Sequence, residues 1–124
     1  YPIIPRAACE RRFPGGRRTY VRLREDTFTG GNAIFAEAHL LDERHALIQQ
    51  LYRARKNPLQ LAQILGVGTV GRLLTGTLTL PYLEQVASRL LLASVRAIVT
   101  PYPELGFDVD KLDDLAAVEQ ALGE

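Results

Sequence analysis

Two carboxylates stand at alternate positions in Phe107-Asp108-Val109-Asp110. An extended backbone sends residues i and i+2 to the same side, so Asp108 and Asp110 are expected on one face, with Val109 turned into the core. Two like charges this close need a counter-ion. Mg²⁺ suits them, because it takes one or two protein carboxylates and completes its octahedron with water and substrate phosphates. For Asp110 alone, capping a helix that begins at Lys111 is an equal reading. A second constellation is Thr29-Gly30-Gly31-Asn32. Its glycines let a small molecule approach the backbone, and Asn32 offers both a donor and an acceptor. The plainer reading is a glycine bulge in which Asn32 ties down its own turn. A third set is Arg11, Arg12, Arg17, Arg18, Arg22 and Arg24, whose guanidinium groups can grip polyphosphate or an anionic acceptor in bidentate fashion.

Gly66-Val67-Gly68-Thr69-Val70-Gly71 has the form of a dinucleotide fingerprint, with Glu84 near the position of a ribose-binding acid. Such a fingerprint must leave a strand and open a long helix. Here Leu59 to Leu65 has helical spacing and Gly76 cuts the following segment short, so helix-breaking glycines are the expected role. A dinucleotide-binding module using Gly66 to Gly71 stands as the alternative function, and a non-catalytic interaction domain as another. Nucleic acid is not expected as a partner, since the net charge is only +1 and stacking aromatics are sparse apart from Phe13 and Tyr20. Cys9, the single cysteine, can form neither an internal disulfide nor a cysteine-based metal cage.

The elements that position these residues follow from periodicity. Residues 1–18, punctuated by Pro2, Pro5, Pro14 and Gly15-Gly16, are expected to be irregular. Thr19 to Arg24 alternates as a half-buried strand, a turn at Glu25-Asp26 leads to Thr27-Phe28-Thr29, and Asn32 to Ala36 reads as a short buried strand. From Asp42 the period becomes helical, with Leu47, Ile48, Leu51 and Tyr52 as the apolar stripe and Arg53, Arg55 and Lys56 closing it. Pro58 starts a second helix that ends at Gly66, and a third runs through Val70, Leu73 and Leu74 to Gly76. Thr79 is the expected N-cap of a fourth, carrying Leu83, Val86, Ala87, Leu90 and Leu91. Val95 to Val99 has the branched content of a strand, and a last helix carries Leu112, Leu115, Ala116, Val118 and Leu122. Strands bracket a helical middle, which argues for an α/β architecture.

The 124 residues, 47% hydrophobic and 23% charged, fit one globular domain. No apolar run approaches the roughly 20 residues that span a bilayer, and no signal or transit peptide opens the chain, so a cytoplasmic protein without a membrane partner is expected. Methionine is absent, which suggests that the chain begins inside a longer reading frame or after processing. Charge is polarised: residues 1–24 carry net +6 and residues 104–124 net −6. Such poles serve different roles or attract one another.

Arg18-Thr19-Tyr20-Val21-Arg22-Leu23, Thr27-Phe28-Thr29-Gly30-Gly31-Asn32, Ala54-Arg55-Lys56-Asn57-Pro58-Leu59 and Thr100-Pro101-Tyr102-Pro103-Glu104-Leu105-Gly106-Phe107-Asp108-Val109-Asp110-Lys111 together resemble the latter half of the MobA-like NTP transferases. That family is related to the molybdenum-cofactor guanylyl- and cytidylyltransferases and to the 2-phospholactate guanylyltransferases. The resemblance implies a three-layer, Rossmann-like nucleotidyltransferase fold of which residues 1–124 form the carboxy-terminal half. It further implies attack of an acceptor oxygen, in a phosphorylated or other small anionic molecule, on the α-phosphorus of an NTP, with release of pyrophosphate. Asp108, with Asp110 second, maps to the Mg²⁺ ligands and Asp108 to the catalytic position. Thr29, Gly30, Gly31, Asn32 and Arg18 map to acceptor binding; the expected partners are the NTP and the small-molecule acceptor, with a homo-oligomer left open. The glycine-rich phosphate loop, its basic residue and an earlier metal-binding Asp have no counterpart here, and Leu112 stands where proline often follows the paired carboxylates. Alone, this half is therefore expected to be inactive and to leave open sheet edges.

Overall fold

A computed structural model describes residues 1–123. Among them a small mixed sheet is surrounded by helices, so the α/β expectation holds. The elements run β1 (Pro2–Pro5), α1 (Arg6–Arg12), β2 (Val21–Arg22), β3 (Thr27–Gly30), α2 (Ala38–Glu43), α3 (His45–Ala54), α4 (Pro58–Leu65), α5 (Val67–Thr75), α6 (Leu80–Leu91) and β4 (Ile98–Val99). A 3-10 turn over Pro103–Gly106 and helix α7 (Leu112–Leu122) complete the order. The strands lie in the order β2-β3-β1-β4, with β1 antiparallel to β3 and parallel to β4.

The central strand β1 and helix α1 correct the expectation that residues 1–18 are irregular. Proline cannot donate to a ladder, but Pro2 and Pro5 occupy the two ends of β1 and leave Ile3 and Ile4 between them. Carbonyls carry much of the pairing: Tyr1 O accepts from Ile98 N, Pro2 O from Gly31 N and Ile3 O from Thr100 N, each at 2.9 Å. Pro5 then becomes the N-cap of α1, and Arg11 and Arg12 fall in its last turn, where the macrodipole favours cations.

Alternation along β1 divides the core. Ile3 joins Leu23, Phe28 and Leu78 on one face, against which Leu73 of α5 and Leu80, Tyr82 and Leu83 of α6 pack. Ile4, fully buried, joins Ala8 and Cys9 of α1 and the side of Tyr20 on the other. Burial of side chains such as Leu and Ile contributes about 1.5–3 kcal/mol each. Two buried isoleucines at adjacent positions therefore fasten helices to both faces of one short strand.

The helical middle follows its sequence signals closely. Asn57 Oδ1 accepts from Gln60 N at 3.2 Å ahead of Pro58, and Thr79 Oγ1 accepts from Tyr82 N at 3.4 Å ahead of Pro81. Gly76 closes α5 in the left-handed conformation at φ 70°, which a side chain would strain. The first helix differs: helix begins at Ala38 and is interrupted at Arg44, whose φ of −119° and ψ of 20° separate α2 from α3.

Other strands are shorter than the branched residues suggested. The strand expected over Thr19 to Arg24 is reduced to Val21–Arg22, and that over Val95 to Val99 to Ile98–Val99. Asn32 to Ala36 forms no strand and is exposed, Phe35 at 83%. Its hydrophobic content suits burial, but among the described residues no strand pairs with it. No helix among the described residues is long and apolar enough to cross a membrane.

Candidate functional site

Gly106, which ends the 3-10 turn, marks where the separated motifs meet. A Cβ placed on it would lie 2.8 Å from Ile4 Cδ1, 2.9 Å from Arg18 Nη2 and 3.0 Å from the carbonyl oxygen of Gly30. These three groups thus converge over one residue at which any side chain would force its neighbours to shift. The loop after β3 is fixed from two directions, Gly31 N donating to Pro2 O at 2.9 Å and Asn32 N to Leu105 O at 2.8 Å. Thr29 pairs with Ile4 in the ladder and is buried, so it forms a wall of this region, whereas the Asn32 side chain is exposed.

Arg18 is the chemically informative member. Its guanidinium lies 5.7 Å from the ring centroid of Phe107, and its Nη1 is buried without a hydrogen-bond partner. Burying a charged donor unpaired is costly, and such an atom calls for a ligand or a water to satisfy it. Phe107 itself stacks on Phe13 at 4.1 Å between centroids, with an interplanar angle of 22°. Tyr1 lies over Gly30, where an added Cβ would overlap its hydroxyl; burial raises the Tyr1 phenol pKa above its ordinary value, against the opposing charge of Arg55.

Asp108 follows Phe107 directly. Asp108 and Asp110 are both exposed, and neither carboxylate accepts a hydrogen bond from the described residues. The cap reading of Asp110 is replaced: Lys111 is the N-cap, and the Asp114 carboxylate accepts from Lys111 N at 2.9 Å and Asp110 N at 3.2 Å. Asp114 therefore holds the backbone of the pair and leaves the Asp110 oxygens free. Val109 does not enter the core; it is 52% exposed and borders an apolar hollow of about 240 Å³ with Phe107, Val118 and Leu122. Beyond Phe107 the segment is exposed at every position, so neither of its sides is buried.

Two exposed, unengaged carboxylates on an irregular segment fit the partial shell that Mg²⁺ takes from a protein. No group of three or more His, Cys, Asp or Glu side chains suited to a metal occurs among the described residues, so a complete protein cage is not built here.

The glycine series from Gly66 to Gly71 lies apart. Helix α4 precedes it and helix α5 contains most of it, whereas a dinucleotide fingerprint requires a preceding strand. Gly68 instead lets α5 approach α6, since a Cβ there would lie 2.9 Å from the Tyr82 hydroxyl. Glu84 is spent on structure, accepting from Ala97 N at 2.9 Å and from Arg96 Nη1 at 3.3 Å. Of the arginine set, Arg12 joins the two charged poles of the chain through a 2.9 Å pair with Glu104.

Sequence reasoning missed Tyr1, Gly106 and the Phe13–Phe107 stack. Only the glycine next to Phe107 carried a local signal, because the other contacts join residues that lie far apart along the chain.

No family model matches the chain, and none of the curated proteins compared with it is similar. A solved structure from Thermus thermophilus, described as a hypothetical transferase, is similar, with 47% identity over 93% of this chain and a TM-score of 0.78. The match spans 50% of that protein's chain.

Proposed function

We propose that this chain is the carboxy-terminal half of a MobA-like, three-layer nucleotidyltransferase domain that transfers an NMP group from an NTP to a small anionic acceptor. Four things support this reading: the sequence resemblance, the likeness to a protein described as a transferase, helices on both faces of the sheet, and the convergence of three motifs. The observation that carries it is the buried, unpartnered Nη1 of Arg18 beside Gly30, Gly106 and Phe107.

In this reading Arg18 receives the phosphate or other anionic group of the acceptor. The Gly30-Gly31 backbone admits it closely, and Asn32 fixes its orientation through its donor and acceptor. Asp108 and Asp110 would hold Mg²⁺, and the ion would supply charge neutralisation for the polyphosphate. Asp114 keeps the Asp110 backbone in place through its two accepted hydrogen bonds. Catalysis is then mainly positioning and charge stabilisation, as in other phosphoryl and nucleotidyl transfers. In this reading the phosphate-cradling loop belongs to a further half of the domain.

The test is pyrophosphate release by the full-length protein with Mg²⁺, each of the four NTPs and a panel of phosphorylated acceptors. Asp108→Asn should abolish release while leaving the thermal midpoint unchanged. Undiminished turnover by that variant would remove the metal assignment.

A further inference from the structure

A second hollow, of about 800 Å³, runs along α6 on the Ile3 side of the sheet, away from Arg18 and Asp108. Its walls carry Arg72, Arg89 and Arg96 and a single acid, Glu84. That acid is already engaged by Ala97 N and Arg96, so it offsets little of the positive field. Arg72 and Arg89 have no carboxylate within ion-pair distance among the described residues. Arg72 is held in place, its guanidinium 4.5 Å from the centroid of the Tyr82 ring, and Tyr82 packs against the core. Gln85 and Ser94 add neutral hydrogen-bonding groups to the lining.

We infer that this hollow is a binding site for a small molecule carrying two or more phosphate-like groups, distinct from the transferase site proposed above. Guanidinium forks match phosphate oxygens in bidentate geometry, and an open groove with a part-polar lining suits a hydrated anionic ligand. Spacing sets the valency. Arg72 sits beside Tyr82 at the start of α6 and Arg89 lies in its last turn, and seven residues of helix rise about 10 Å. A polyphosphate chain or a doubly phosphorylated molecule can engage both ends without either arginine folding back along the helix. Arg96 lies past the end of α6, and its contact with Glu84 leaves further guanidinium donors for the ligand.

Inorganic triphosphate is the direct probe, titrated calorimetrically in the presence of a chelator so that no divalent ion recruits it to Asp108. The protein should bind triphosphate at least tenfold more tightly than orthophosphate, and the affinity should fall steeply as salt is raised. Arg72→Ala and Arg89→Ala should each weaken binding about tenfold or more. Both side chains are exposed, so the variants should melt with the parent. Arg18→Ala should retain the triphosphate binding that Arg72→Ala and Arg89→Ala weaken, which separates this site from the proposed acceptor site. Equal affinity for orthophosphate, or loss of binding in Arg18→Ala with none in Arg72→Ala and Arg89→Ala, would overturn the assignment.

Discussion

The rings of Phe13 and Phe107 stack 4.1 Å apart and join the end of α1 to the residue immediately before Asp108. Phe13 is 6% exposed, so this contact is part of the interior and sets where the carboxylate pair leaves the body of the protein. Phe13→Ala removes a buried aromatic and should destabilise the protein by about 3–5 kcal/mol. Phe13→Leu refills most of the volume and should cost less, losing chiefly the ring pairing of about 0.5–1.5 kcal/mol. Urea unfolding of both variants measures the difference, and equal losses would mean that the stacking itself is immaterial.

Arg18 should separate stability from function. Arg18→Met keeps the length of the side chain while removing a buried donor without a partner. An unsatisfied group of this kind costs about 1–3 kcal/mol, so the variant should be as stable as the parent or more so. If Arg18 binds the acceptor, the same variant should raise the acceptor KM at least tenfold with the KM for NTP unchanged. Denaturant midpoints and steady-state kinetics on the full-length protein check the two halves of this expectation.

Two glycines in different surroundings should respond with opposite signs. Gly106→Ala forces a Cβ against Ile4, Arg18 and the Gly30 carbonyl, and should destabilise by about 1–3 kcal/mol. Gly71→Ala, inside α5 with open space around it, should instead stabilise by about 0.5–1 kcal/mol through helix propensity. A fall in the thermal midpoint of Gly71→Ala would point to a demand on that backbone other than helix formation.

Alkaline pH should weaken the fold through its tyrosines. The Tyr20 phenol pKa is raised above 10.0, first by burial and then by the neighbouring Cys9 thiol, and that of Tyr1 is raised by burial. A pKa raised on folding gives stability that is fully present below the unfolded value and lost as pH rises through the folded one. The thermal midpoint should therefore fall as pH climbs beyond 10, and Tyr20→Phe should show a shallower fall. Tyrosinate absorbance followed in the same samples identifies the titrating group.

The helical middle was legible because its punctuation is local. Pro58, Gly76 and Thr79 act within one turn of the helix ends they define, and each sits where its chemistry required. Strand β1 was illegible for the opposite reason: Pro2 and Pro5 carry a strong local turn signal, while the pairing that overrides it comes from Gly31, Ile98 and Thr100. The apolar stretch around Phe35 shows the limit of composition, since β-branched and aromatic content says what a segment can bury but not what reaches it. At the candidate site the arginine, the glycine loop and the carboxylate pair were each visible alone. Their meeting over Gly106 depends on the sheet, and no spacing along the chain encodes it.

The parallel pairing of β1 with β4 also dictates a timetable for synthesis. When Ile3 leaves the ribosome it can find β3 within a few dozen residues, but its other neighbour, Val99, is translated far later. Contacts so distant along the chain close a large loop and slow folding. The nascent polypeptide must therefore keep one flank of its middle strand unsatisfied until Val99 and Thr100 have emerged.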